Sequence, residues 1–113
     1  MEVKKKKRFL LTSGYSYLNG WQSRMILINK IHTRNQVFIK FYADTDGKQL
    51  IMKYNVTLEP TEIRKIELNF DELKDHCGKI ELRGDDMLDG TVFSFKGDAM
   101  FDLKLVQPDV RCY

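Results

Sequence analysis

A chain of 113 residues is the length of one ordinary domain. With 42% hydrophobic and 31% charged residues, seven Phe and five Tyr, it is neither disordered nor linker-like, and only two Pro and seven Gly exclude a collagen-like repeat. The net charge of +3 is unevenly placed: Lys4, Lys5, Lys6, Lys7 and Arg8 against Glu2 give residues 1–8 a local +4, so the remainder sums to −1. The basic character belongs to an N-terminal tail, residues 1–8, and not to the domain that residues 9–113 form.

Period-two alternation dominates that domain, the mark of half-buried strands. A first short strand is expected over Arg8 to Thr12. Gly14-Tyr15-Ser16-Tyr17-Leu18-Asn19-Gly20-Trp21-Gln22, bracketed by glycines, reads as a loop, and a second strand follows over Ser23 to Lys30. In Gln36 to Ala43, Val37, Ile39, Phe41 and Ala43 share an apolar face while Phe38, Lys40 and Tyr42 share the other, so the first face is the buried one. Asp44-Thr45-Asp46-Gly47-Lys48 is an Asp-Gly turn of the kind that joins hairpins.

Leu50, Met52, Tyr54, Val56 and Leu58 then line the inner face of the next strand, until Pro60, which has no amide donor, ends it. Ile63 to Phe70 resumes with Ile66, Leu68 and Phe70 inward, and Asp71 to Asp75 is the one helical turn. Gly78 to Leu82, Thr91 to Phe95 and Met100 to Val106 complete about eight strands. Strands at this spacing predict an all-β, antiparallel β-sandwich.

The apolar runs Phe9-Leu10-Leu11 and Met25-Ile26-Leu27-Ile28 are far short of the roughly 20 residues of a membrane helix. No leader-like apolar stretch of about 7–15 residues follows the basic start. Cys77 and Cys112 are too few for a disulfide framework and read as free thiols, so a soluble, cytoplasmic protein is expected.

Few residue constellations carry chemistry. The Lys4–Arg8 run could hold the phosphates of nucleic acid or of lipid headgroups, or simply keep a tail solvated. His76 and Cys77 are chain neighbours, which cannot easily converge on one metal, and His32 lies far upstream with no ligand spacing, so neither a zinc site nor a Cys77–His32 nucleophile is expected. Asp44 and Asp46 before Gly47, and Asp85, Asp86 and Asp89 before Gly90, are acidic clusters at expected turns. Turn chemistry explains them, a weak calcium site being the alternative. No serine sits in a Gly-x-Ser-x-Gly elbow, and no glycine loop is built for phosphate. The segment with most information is the loop holding Tyr15, Tyr17 and Trp21. Large aromatics in a loop either form a ligand- or partner-binding surface or fold back to plug one end of the sandwich.

With the strands placed, the chain from about Phe9 to Leu73 resembles the sensory rhodopsin transducer group of small β-sandwich proteins. The resemblance is carried by Ser13-Gly14-Tyr15, Ile26-Leu27-Ile28-Asn29, Val37 to Asp44, Val56-Thr57-Leu58-Glu59-Pro60 and Ile66 to Leu73. It implies an all-β, self-associating adaptor that is not an enzyme; residues after Leu73 and the polybasic start depart from the group, and no functional residue carries over. The expectation is therefore a non-enzymatic binding or adaptor sandwich without cofactor or metal, acting on a protein partner or on itself as a homo-oligomer through Tyr15, Tyr17 and Trp21. Two alternatives stand beside it. One is a nucleic-acid binder using the tail (Lys4, Lys5, Lys6, Lys7, Arg8) with the aromatic loop, the other a small phage or mobile-element protein that inhibits a host enzyme.

Overall fold

The computed structural model describes residues 9–84 and 87–107. Its eight strands are β1 (Phe9–Ser16), β2 (Gln22–Asn29), β3 (Asn35–Tyr42), β4 (Leu50–Leu58), β5 (Ile63–Glu67), β6 (Cys77–Gly84), β7 (Leu88–Lys96) and β8 (Ala99–Lys104), with one 3-10 turn at Asp71–Leu73. They form two four-stranded antiparallel sheets, β1-β6-β3-β4 (sheet A) and β5-β2-β7-β8 (sheet B). The expected sandwich is the observed architecture. No described helix is long and apolar enough to cross a membrane.

The core lies between the sheets. Met25 and Leu27 of β2, Val37, Ile39 and Phe41 of β3, Ile80 and Leu82 of β6, and Val92 of β7 are completely buried. Each such side chain contributes about 1.5–3 kcal/mol by leaving water. Only two connections, β3–β4 and β7–β8, are hairpins within one sheet; each of the others carries the chain from one sheet to the other. Buried polar side chains hold the crossings. Ser23 Oγ accepts the Ser16 N–H at 3.0 Å and donates its one hydrogen to Ser16 O at 3.0 Å. Ser94 Oγ, 2.8 Å away, then has to be the donor to Ser23.

Three features depart from the alternation read in the sequence. First, β1 runs on to Ser16, so the turn into β2 is shorter than the Gly14–Gln22 loop expected. Its apex is Leu18-Asn19-Gly20-Trp21, where Asn19 (φ 56) and Gly20 (φ 85) are both left-handed and Trp21 N–H donates to Leu18 O at 3.1 Å, a type I′ turn. Second, Phe41 faces Met52 but Tyr42 faces Leu50, which makes Ile51 the extra residue of a β-bulge. The bulge corrects both strands near it: Ile51 packs on the core, Leu50 is 44% exposed, Tyr42 is buried and Ala43 only half-buried. Third, β5 ends at Glu67, with one last backbone bond from Leu68 N–H to Ser23 O at 2.9 Å, although Leu68 stays in the core and Phe70 packs against it.

The Asp44 turn is closed by turn chemistry. The Asp44 carboxylate accepts the Lys48 N–H at 3.1 Å and the Gln49 N–H at 3.3 Å, and Ala43 N–H donates to Gln49 O.

Candidate docking surface

β7 turns into β8 through Gly97 and Asp98, with Gly97 at φ 57. All six residues of β8 are exposed. By alternation Phe101 and Leu103 share the inward face with Leu105, yet only Leu105 reaches the core; Phe101 is 45% and Leu103 42% exposed. The chain after β8 crosses to sheet A and pairs with the edge of β1, where Thr12 and Val106 exchange backbone hydrogen bonds. Ser13 Oγ donates to Leu103 O at 3.1 Å, and Leu103 lies where a β-carbon on Gly14 would meet it at 3.3 Å. Beside this joint lies an open groove of about 410 Å³ lined by Thr12, Ser13 and Gly14 of β1, Lys79 of β6, Leu103 and Val106 among others.

At the other end of β8, Trp21 packs on Phe101 with ring centroids 5.4 Å apart. Trp21, Phe101, Leu103 and Val106 thus form one apolar seam along the line where the two sheets meet. Met100, 69% exposed, projects from the opposite face of β8, opposite the half-buried Phe95. Exposed apolar side chains gathered on one edge are the mark of an interaction surface, where scattered ones are ordinary.

The three aromatic residues singled out in the sequence separate. Tyr15 is not a loop residue: it lies in β1, is 4% exposed, packs edge-on to Phe41 at 5.7 Å and donates its hydroxyl to Tyr42 O at 2.9 Å. Burial, reinforced by the nearby Cys77 thiol, pushes its phenol up to about 12. Tyr17 is partly buried against the core. Trp21 alone of the three belongs to the seam. Nothing in the sequence sets Met100, Phe101, Leu103 and Val106 apart: the alternation of Phe101, Leu103 and Leu105 marks a half-buried strand, and nothing in it says that the strand overhangs the opposing sheet.

The other candidates do not converge. His32 follows β2, whereas Cys77, exposed and free, pairs with Ser16 beside the start of β2. The length of an eight-residue strand, about 25 Å, lies between them, so the Cys77–His32 pair is not assembled. Among the described residues no group of three metal-ligating side chains gathers. Asp89 is engaged by its own strand: its carboxylate accepts the Gly90 N–H at 2.7 Å and faces Lys30 Nζ at 3.1 Å, and these hold it below the usual carboxylate range. Asp85, Asp86, Cys112 and the tail residues Lys4, Lys5, Lys6, Lys7 and Arg8 lie outside the described residues.

The fold and the surface together define an antiparallel two-sheet β-sandwich with an apolar edge strand. No family model, no curated protein and no solved structure matches the chain.

Proposed function

We propose that this chain is a non-enzymatic binding module that works through protein–protein contacts, self-association included, at the seam of Trp21, Phe101, Leu103 and Val106. The observation that carries the reading is the exposure of Met100, Phe101, Leu103 and Val106 together on and just after one edge strand. The far edges are better guarded: β5 is five residues long and its outer face sets one exposed apolar residue, Ile63, beside Lys65 and Glu67, and β4 presents Lys53, Asn55 and Thr57 there. Short strands and charges are the usual protection of sheet edges. Aromatic and Met side chains are enriched where binding energy concentrates. The likeness to an adaptor group over residues 9–73 points the same way. The test is light scattering over a concentration series on the wild type, Trp21→Ala with Phe101→Ser, and Leu103→Lys. Assembly weakened by more than about tenfold in the seam variants is expected. Assembly indifferent to both changes removes the seam from the mechanism.

One observation favours nucleic acid as a second reading. By alternation the outer face of sheet A carries Lys40, Lys53, Lys79 and Arg83 against the single acid Glu81. β1, which follows the tail in the sequence, pairs its Leu10 with Arg83 of that face. A salt series of RNA and DNA binding, with and without residues 1–7, decides it: phosphate contacts give a log–log slope near −0.7 to −0.9 per contact, reduced when the tail is removed. Absence of binding by either form at physiological salt ends this reading.

A further inference from the structure

We infer that the occupant of the free edge of β8 is the β8 strand of a second copy, paired antiparallel about a two-fold axis through Phe101, so that two sheets B continue as one. The inference rests on the docking reading above and specifies its geometry.

Leu105 N–H donates to Gly90 O at 3.0 Å, and the β7–β8 register pairs Thr91 with Lys104, so Gly90 and Leu105 are a hydrogen-bonded pair. Such pairs alternate in an antiparallel ladder. Leu103, Phe101 and Ala99 therefore bond to β7, and the N–H and C=O groups of Met100, Asp102 and Lys104 look away from it. Among the described residues Met100 and Asp102 have no backbone partner on that side. The links from β1, at Val106 and Leu103, leave Ala99 to Asp102 open.

This phase admits only pairings that place even-numbered residues opposite even-numbered ones. An axis through Asp102 sets Asp102 against itself, and an axis through Met100 sets Asp98 against Asp102 twice; like charges directly opposite destabilise a ladder. An axis through Leu103 requires Phe101 to face Leu105, which is buried in its own core, and Met100 to face Val106, whose backbone groups are already bonded to Thr12 of β1.

An axis through Phe101 has none of these faults. Phe101 meets Phe101 of the second copy in a non-hydrogen-bonded site, where cross-strand side chains come closest. Met100 and Asp102 exchange backbone bonds across the axis. Leu103 falls opposite Ala99 on the inner face, and Lys104 falls opposite Asp98 on the outer face, so each copy supplies one half of two ion pairs. The edge is self-complementary in shape and in charge.

The register is read with single cysteines in a Cys77→Ser, Cys112→Ser background under diamide. Phe101→Cys crosslinks to itself, Met100→Cys and Leu103→Cys alone do not, and a mixture of Met100→Cys and Asp102→Cys chains crosslinks as a heterodimer. Independently, Lys104→Glu raises the dimer dissociation constant by about tenfold, and adding Asp98→Lys restores it to within about threefold. A dimer that dissociates in the seam variants but fails to crosslink both at Phe101→Cys and in the mixture of Met100→Cys and Asp102→Cys chains, or ignores the charge swap, overturns this register while leaving the docking surface in place. A chain that remains monomeric up to about 1 mM, weaker than about −4 kcal/mol, overturns both the register and self-association at the seam.

Discussion

The hydroxyl of Tyr15 reaches across sheet A to the carbonyl oxygen of Tyr42, a 2.9 Å hydrogen bond between strands that are not neighbours. It passes over β6 at Gly78, the residue paired with Tyr15, where a β-carbon would come within 2.1 Å of that same oxygen. The glycine and the tyrosine thus serve one contact. β-Strand glycines often mark such a close approach of backbone.

Replacing Gly78 by Ala forces a methyl group into backbone that cannot swing aside, as a flexible side-chain tip could. We expect a loss of about 3 kcal/mol or more, near the limit for a single substitution in a small domain. Chemical denaturation measures it; an unchanged midpoint would mean that Tyr42 O does not sit over β6.

The phenol of Tyr15 yields a pH prediction. Its ordinary value of 10 rises to about 12 because burial, with the Cys77 thiol adding to it, disfavours the charged form. Between these values the unfolded chain has lost the proton and the folded chain still holds it. Stability is therefore undiminished below about pH 10 and falls as pH rises toward 12, by up to about 1.4 kcal/mol per unit. Tyr15→Phe should cost about 1–2 kcal/mol at neutral pH through the orphaned carbonyl, and should shed this component of the alkaline decline. Melts of both proteins from pH 8 to 12 check the sign.

Asn29, 1% exposed, is where two of the sheet-to-sheet crossings meet. Its amide donates to Thr33 O at 3.0 Å and Glu59 O at 2.8 Å, and its oxygen accepts from Ile31 N at 3.3 Å and Asn35 Nδ2 at 3.4 Å. All four capacities are used. Asn29→Leu fills the volume but removes all four bonds of this buried junction, so a loss of about 3 kcal/mol is expected, seen as a lower denaturation midpoint. A neutral result would place water in the junction.

Phe41 and Phe101 are the same residue in opposite roles. Phe41 is fully buried among Tyr15 and Phe70, and Phe41→Ala should cost about 3–5 kcal/mol of folding stability. Phe101, 45% exposed, touches Trp21, and Phe101→Ala should cost the isolated fold about 1 kcal/mol while weakening assembly. Paired melts and light scattering separate the two; equal losses of stability would make Phe101 a core residue and end its role at the seam.

The strands were legible in the sequence because side-chain period follows from local backbone geometry. Val37, Ile39 and Phe41 alternate with Phe38 and Lys40 whether or not a second sheet is present, and one apolar face is enough to name the inside. The Asp-Gly turn after Ala43 is equally local, since its carboxylate caps amides only four and five residues on. Three things were settled by pairing and packing that the alternation of a single strand does not carry. The bulge at Ile51 arises from pairing with β3 and turns Leu50 outward. Tyr15 is buried because β1 continues its ladder with β6, a strand more than sixty residues away, as far as Ser16 and Cys77. Phe101 and Leu103 remain exposed because sheet A ends at β1 beneath them, although their alternation matches that of the buried Leu105. Period reports which face a side chain takes, and only the opposing sheet determines whether that face is covered.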